Sequence, residues 1–223
     1  MARLFDDGNS EWLTVASPLL DAAPFTCCAW IKTDDGADNF QVIAAPFGEA
    51  GTDIGWKYRL RMSDAQIQFE AEDAGGSARA EATAVPAVGD WGHAAGVEVA
   101  VDSRESYFAG ANKGTNATSV TPLATSIDTT SIAVRDDGSP SDSFSGDIGH
   151  VSLYDAALNQ GMIETHAAGF NPMRIQRDNL VGYYPINGQS PERNVMGGFD
   201  LTVVNAPPVS PEPPIRRFNV APA

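Results

Sequence analysis

Three histidines, two cysteines and an excess of acids are the side chains of this 223-residue chain best able to do chemistry, and their spacing limits what they can do. His93, His150 and His166 lie far apart, each inside a pattern of regular structure. A serine, a histidine and an acid can assemble from distant positions, but no Gly-x-Ser-x-Gly elbow occurs here to present the nucleophile. A phosphate-binding glycine loop, a dinucleotide fingerprint and an H-E-x-x-H helix are also missing from the sequence, so cofactor chemistry has no support. His93 falls in line with Trp91, Ala95 and Val97 and reads as a core side chain with its hydrogen bonds satisfied. Cys27 and Cys28 are neighbours in "FTCCAWIK"; adjacent strand residues face opposite ways, so they are poorly placed to bridge each other. Without C-x-x-C spacing they read as two small strand residues.

Sugar recognition asks for an aromatic face to meet the apolar side of a pyranose, with polar groups around it for the hydroxyls. Trp56 follows the loop "EAGTDIG" and precedes a stripe of Lys57, Arg59 and Arg61, which makes it the candidate platform, with Arg59 and Arg61 as donors. Its parity with Tyr58 and Leu60 is nevertheless that of a buried position. The loop "RDDGSPSDSF" adds Asp136, Asp137 and Asp142 as acceptors for the same site, the plain alternative being a solvated acidic turn.

The elements that must position these groups are strands. Short alternating, β-branched and aromatic segments such as "FQVIAA", "QIQFEAE", "WGHAAGVEVAV" and "FSGDIGHVSLY" recur between turns like "DDGNS" and "EDAGGS". This predicts an all-β, antiparallel β-sandwich with one short helix. In "WKYRLRMSDAQIQFEAE" the expected hairpin sets Arg61 by Gln68, Arg59 by Glu70 and Lys57 by Glu72 on a solvated face, with Ile67, Phe69 and Ala71 inward. "LNQGMIETHAAG" predicts the helix, capped by Asn159, burying Met162, Ile163, His166 and Ala167, and stopped by Gly169. The sandwich is expected over residues 1–205, its core at 3–169 and closing strands at 180–203. Residues 206–223, "APPVSPEPPIRRFNVAPA", predict an extended Pro-rich tail held by the body or by a neighbouring chain.

Lys+Arg 14 against Asp+Glu 29 leaves a formal charge of -15, which repels phosphate backbones and anionic lipid surfaces, so nucleic acid is not an expected partner. No run approaches the roughly 20 apolar residues that span a bilayer, and the opening "MARLFDDGNSEWLTV" has no apolar leader, so neither membrane insertion nor simple secretion is expected.

"LFDDGNSEWLTV", "FTCCAWIK", "WGHAAGVEVAVDSRESYFAGANKGTNATSV" and "FSGDIGHVSLYDAALNQGMIETHAAG", in that order over about Arg3 to Gly169, resemble the laminin-G-like jelly rolls of the concanavalin A-like lectin and glucanase superfamily. The closing "RDNLVGYYPINGQSPERNVMGGFDLTVV" resembles the terminal portion of variants in tailed-phage structural genes. The first resemblance implies burial of Trp30 and Trp91, beside a core role for Trp12 at the close of the opening hairpin, and a structural Ca2+ held by Asp7, the carbonyl region of Gly8 and Asp147 through hard oxygen ligands. The alternative for those acids is a turn residue and a strand residue, architectural in either case. Glucanases of the superfamily set acid and nucleophile on one strand in a Glu-x-Asp-x-x-Glu arrangement; "FEAEDAGG" has Glu70 and Glu72 on one face but lacks the middle Asp and third acid, so that catalytic pattern is rejected.

Together these readings imply a non-enzymatic protein of a tailed-phage virion, a decoration of capsid or tail assembled in the host cytoplasm and displayed on the virion surface, where it meets host surface glycans. Its tail would anchor it to virion proteins, Ile215 and Phe218 filling apolar pockets and Arg216 and Arg217 meeting an acidic rim. A homo-oligomer would suit such a decoration, though no spacing selects one. A free carbohydrate-binding module or lectin is the alternative, and a glycoside hydrolase the third reading.

Overall fold

Alternation becomes strands throughout the computed structural model, which describes residues 1–34, 41–48, 55–61, 65–122, 127–136 and 140–216, without the side chains of 46–48 and 56–61. The strands are β1 Ala2–Phe5, β2 Trp12–Val15, β3 Phe25–Thr33, β4 Gln41–Gly48, β5 Gly55–Arg61, β6 Gln66–Asp73, β7 Gly76–Ala82 and β8 Gly92–Ala100. There follow β9 Ser103–Phe108, β10 Asn112–Asn116, β11 Ile127–Ile132, β12 Gly146–Tyr154, β13 Leu180–Tyr184, β14 Thr202–Val204 and β15 Val209–Ser210. They pair into one sheet of order β10-β9-β8-β3-β12-β1-β15, with β13 also on β12, and a second of order β14-β2-β11-β4-β5-β6-β7. The fold is the antiparallel sandwich that the strand pattern predicts, in the jelly-roll form that the resemblance implies.

The inner faces meet in one core. Phe5, Phe25, Ile31 and Ile148 of the first sheet close on Leu13, Ile67, Phe69 and Ile132 of the second, and Phe25 meets Phe69 edge to face at 5.8 Å. The outer face of the first sheet is covered as well, because a second apolar layer of Cys28, Val97, Tyr107, Tyr154 and Leu180 lies beneath Ile163 of helix α1, Gln160–Ala167. β3 is therefore apolar on both faces, and its two free cysteines are split, Cys27 in the inner core and Cys28 in the outer layer. Asn159 caps α1 as expected, its Oδ1 accepting the Met162 N–H at 3.1 Å.

The β5–β6 hairpin keeps the expected faces but not the expected register. The structure pairs Lys57 with Glu70, Arg59 with Gln68 and Arg61 with Gln66, two residues along from the charge-matched alignment. A shift of two preserves which positions face the core and shortens the connecting loop. It also sets Tyr58 opposite Phe69 and Leu60 opposite Ile67, and it keeps Lys57 opposite an acid, Glu70, so charge matching alone does not select between the two alignments. Nor is the opposite face solvated: Gln68 is 0% and Glu70 3% exposed. Gln68 Nε2 donates to Glu81 Oε1 at 3.1 Å, and the Arg79 guanidinium stands 3.9 Å from Glu70.

The described part of the Pro-rich segment, up to residue 216, runs along its own body. β15 pairs with β1, and the Leu4 N–H donates to the Pro208 carbonyl at 3.0 Å. Pro213 is buried over Gly149, where a side chain would come within 3.2 Å of it. The Arg216 N–H donates to the Gly169 carbonyl at 2.8 Å and its guanidinium lies 5.1 Å over Phe170, while Ile215 is half-buried. Arg217 and Phe218, named as anchor residues, lie outside the described residues. A buried arginine secures the arrangement: Arg3 Nε donates to Glu192 Oε1 at 2.6 Å, and its other nitrogens donate to the Gln189 and Pro207 carbonyls.

Candidate functional site

The segment Val85–His93 shapes an open groove of about 470 Å³ at one end of the first sheet. Its walls carry Trp30 from β3, Trp91 and Asp90 from the approach to β8, Phe108 from the end of β9, and Pro214 from the C-terminal segment. Gly92 makes this possible, since a Cβ there would come within 2.5 Å of the Phe108 ring. Trp91 and Phe108 are half-buried, whereas Trp30 is 7% exposed. The resemblance implied core roles for both tryptophans; Trp30 has one in part, but Trp91 stands at the mouth of a groove.

Lys32 holds Trp91 in place. Its ammonium lies 5.6 Å from the indole centroid and 2.5 Å from Asp147 Oδ2, Lys32 and Asp147 being directly opposed across β3 and β12. Asp147, 2% exposed, thus serves as the buried counter-charge that orients a lysine beside the groove. Asp7 lies in an exposed 3-10 turn, Asp7–Asn9, where its Oδ1 accepts the Gly8 N–H at 2.8 Å. Lys32 takes Asp147 Oδ2 alone; Oδ1 has no hydrogen-bond partner among the described residues.

Behind the groove wall sits a second group that the sequence did not suggest. Cys28, His93 and His166 are all buried and bring one sulfur and one nitrogen each to within 4.8 Å of one another. His93 is 2% exposed, and neither of its ring nitrogens has a hydrogen-bond partner among the described residues. The reading of His93 as a satisfied core side chain is therefore corrected: its environment is apolar rings, with Trp30 at 5.5 Å edge-on and His166 stacked at 5.6 Å. Burial, reinforced by the neighbouring His166, drives the His93 pKa well below the ordinary imidazole range, and burial lowers His166 to about 3. Both imidazoles are neutral near pH 7. Burial, with Cys27 adjacent, pushes the Cys28 thiol well above its ordinary value. His150, by contrast, is engaged, its Nδ1 lying 2.7 Å from the Tyr183 hydroxyl.

The sugar-binding residues expected from the sequence are not all brought together. The β5–β6 pairing sets Trp56 opposite Ala71, a core residue, and Arg59 and Arg61 opposite Gln68 and Gln66, so the tryptophan position and the two arginine positions fall on different faces. The side chains of Trp56, Arg59 and Arg61 themselves lie outside the described residues, as does Asp137. Asp136 Oδ2 accepts the Thr14 hydroxyl at 3.2 Å, and Asp142 stands 4.0 Å from Arg135. The signal that could have located the groove was "WGH" itself, a glycine between an aromatic and a histidine where backbone must pass close to another ring.

Two antiparallel sheets, an outer layer capped by α1 and an aromatic groove at one end describe a jelly roll of the concanavalin A-like kind. The laminin-G-type model of the concanavalin A-like lectin/glucanases superfamily matches residues 7–164, and the chain belongs to that superfamily. Among solved structures, the heptameric SAP-like pentraxin of Limulus polyphemus is 17% identical with a TM-score of 0.54, over 74% of this chain and 80% of its own. A putative carbohydrate binding protein of Bacteroides ovatus is 16% identical with a TM-score of 0.61, over 91% of this chain and 57% of its own. The CBM40 of a Ruminococcus gnavus IT-sialidase, solved with α2,3 sialyllactose, is 14% identical with a TM-score of 0.56, over 66% of this chain and 83% of its own. At such identities these likenesses establish fold alone. No curated protein sequence matches the chain.

Proposed function

We propose that this chain is a non-catalytic carbohydrate-binding jelly roll that takes a sugar ring against Trp91 and Phe108 in the groove between the Val85–His93 segment and Pro214. The observation that carries the reading is the groove itself: it is open, about 470 Å³ in volume, walled by aromatic rings and edged by the exposed Asp90. Indole and phenyl faces cover the apolar side of a pyranose, and a carboxylate accepts from its hydroxyls. Asp90 is the one carboxylate among the described residues of that wall, whereas glycoside hydrolysis needs two, about 5–10 Å apart. The reading draws further support from neighbours described as a carbohydrate binding protein and as a sialidase CBM40 with bound sialyllactose.

The test is a glycan array followed by calorimetry with the best glycan. Trp91→Ala is expected to weaken binding at least tenfold, about 1.4 kcal/mol, while Trp56→Ala leaves it unchanged. Absence of any bound glycan, or loss on Trp56→Ala with Trp91→Ala unaffected, would refute the groove. The setting we propose, the surface of a tailed-phage particle, rests on the resemblance of residues 177–204, and immunogold labelling of intact particles tests it.

A further inference from the structure

We infer that Cys28, His93 and His166 form a binding site for one transition-metal ion of the zinc class, clamping α1 onto the first sheet. The three side chains come from three rigid elements, β3, β8 and α1. Cys28 is paired with Ala95 and Trp30 with His93, so Cys28 and His93 are diagonal neighbours on the same sheet face, and His166 descends on them from the helix. Their ligand atoms lie within 4.8 Å of one another. Around a tetrahedral ion with Zn–N of about 2.0–2.1 Å and Zn–S of about 2.3 Å, such atoms stand about 3.4–3.6 Å apart. The site closes by roughly an ångström, a matter of side-chain rotation.

The independent sign of a ligand is His93. Its two ring nitrogens are buried and without hydrogen-bond partners among the described residues, and a buried polar group left alone keeps the full cost of its desolvation. A metal ion satisfies one of them directly. His166 is oriented from behind. The Tyr154 hydroxyl lies 2.8 Å from His166 Nε2 and gives its hydrogen to the Pro172 carbonyl at 3.2 Å. With that hydrogen committed, Nε2 carries the proton and donates to Tyr154, which leaves Nδ1 with the lone pair that a metal needs. One thiolate and two imidazoles favour zinc and its relatives over calcium or magnesium, which take oxygen ligands. As the metal–sulfur bond forms, the Cys28 proton leaves to solvent, and water completes the fourth position. The surrounding apolar layer of Val97, Tyr107, Leu158 and Ile163 keeps the ion from bulk water.

The full chain, stripped of metal and checked for folding by near-ultraviolet circular dichroism, is titrated with Co2+ as a spectroscopic stand-in for zinc. One equivalent is expected to produce the intense visible bands of tetrahedral cobalt and a thiolate-to-cobalt charge-transfer band, both abolished by stoichiometric Zn2+ and unaffected by excess Ca2+. Cys28→Ser removes the charge-transfer band, Cys27→Ser on the opposite face keeps it, and Tyr154→Phe weakens binding about 10- to 100-fold. X-ray absorption at the zinc edge of the wild-type chain, which needs no variant to fold, should show a shell of one sulfur with nitrogen or oxygen neighbours. A folded chain that takes up no cobalt, a band that survives Cys28→Ser, or a zinc shell without sulfur would overturn the site and leave ordered water as the partner of His93.

Discussion

Replacing Arg3 with leucine should lower the unfolding free energy by about 3 kcal/mol, the lower end of the 3–5 expected when one partner of a buried pair is removed. The Arg3 and Glu192 side chains are 5% and 1% exposed, so solvent does not screen them. Leucine deletes the donor 2.6 Å from Glu192 Oε1 and those to the Gln189 and Pro207 carbonyls. The carboxylate then keeps the N–H groups of Asn187 at 3.0 Å and Gly188 at 2.8 Å, which is why the lower figure applies. Since a folded domain of this kind is stable by about 5–15 kcal/mol, the loss is large. Urea unfolding followed by tryptophan fluorescence measures it, and the double variant Arg3→Leu/Glu192→Leu should recover about 2 kcal/mol relative to the sum of the single changes. Hydrogen exchange should quicken first in residues 187–210, which the latch holds to β1. Through Pro214 the groove loses a wall, so glycan affinity should fall as well. A loss under about 1 kcal/mol, typical of an exposed pair, or strict additivity in the double variant, would refute this account of the C-terminal segment.

Two further outcomes follow from the same reasoning. Arg104, 0% exposed, donates to both Glu98 carboxylate oxygens and to the Thr118 and Val101 carbonyls; Arg104→Met should cost about 3–5 kcal/mol in the same urea assay, whereas Lys113→Met, which breaks a pair with side chains 33% and 20% exposed, should cost under about 1 kcal/mol. Burial raises the Tyr107 phenol to about 12 and pushes Tyr154, Tyr183 and Tyr184 higher still. An unfolded phenol ionises near 10, so above that pH the unfolded chain holds fewer protons than the native one and stability falls as pH rises. Phenolate absorbance should therefore develop late and together with the loss of native structure; independent titration of these tyrosines near pH 10 in a still-folded chain would contradict it.

Much of this protein was legible from residue order alone. The period-two alternation of "QIQFEAE" commits Ile67, Phe69 and Ala71 to one face whatever the register, and all three lie in the core. Asn159 followed by a periodic apolar stripe and Gly169 announces a capped helix because local hydrogen bonding decides it. Properties that need two distant segments were another matter. The hairpin register lies two residues from the charge-matched one, a shift to which alternation is blind because it leaves every face unchanged. Up to residue 216 the proline-rich segment is strand and packed coil because β1 offers it an edge and Arg3 a buried anchor, partners some 200 positions away.

What the sequence by itself determined is the pattern of faces: two apolar layers, strands between glycine-rich turns, one capped helix, and a charge that repels polyanions. Only the tertiary structure decided which side chains meet. His93 and Cys28 each look like ordinary strand residues, and His166 like one more buried helix position; the groove and the buried sulfur–nitrogen cluster exist because β3, β8 and α1 are brought together. Alternation and capping are local and written in neighbouring residues, whereas a site is a sum of long-range contacts whose free energy no short stretch of chain contains.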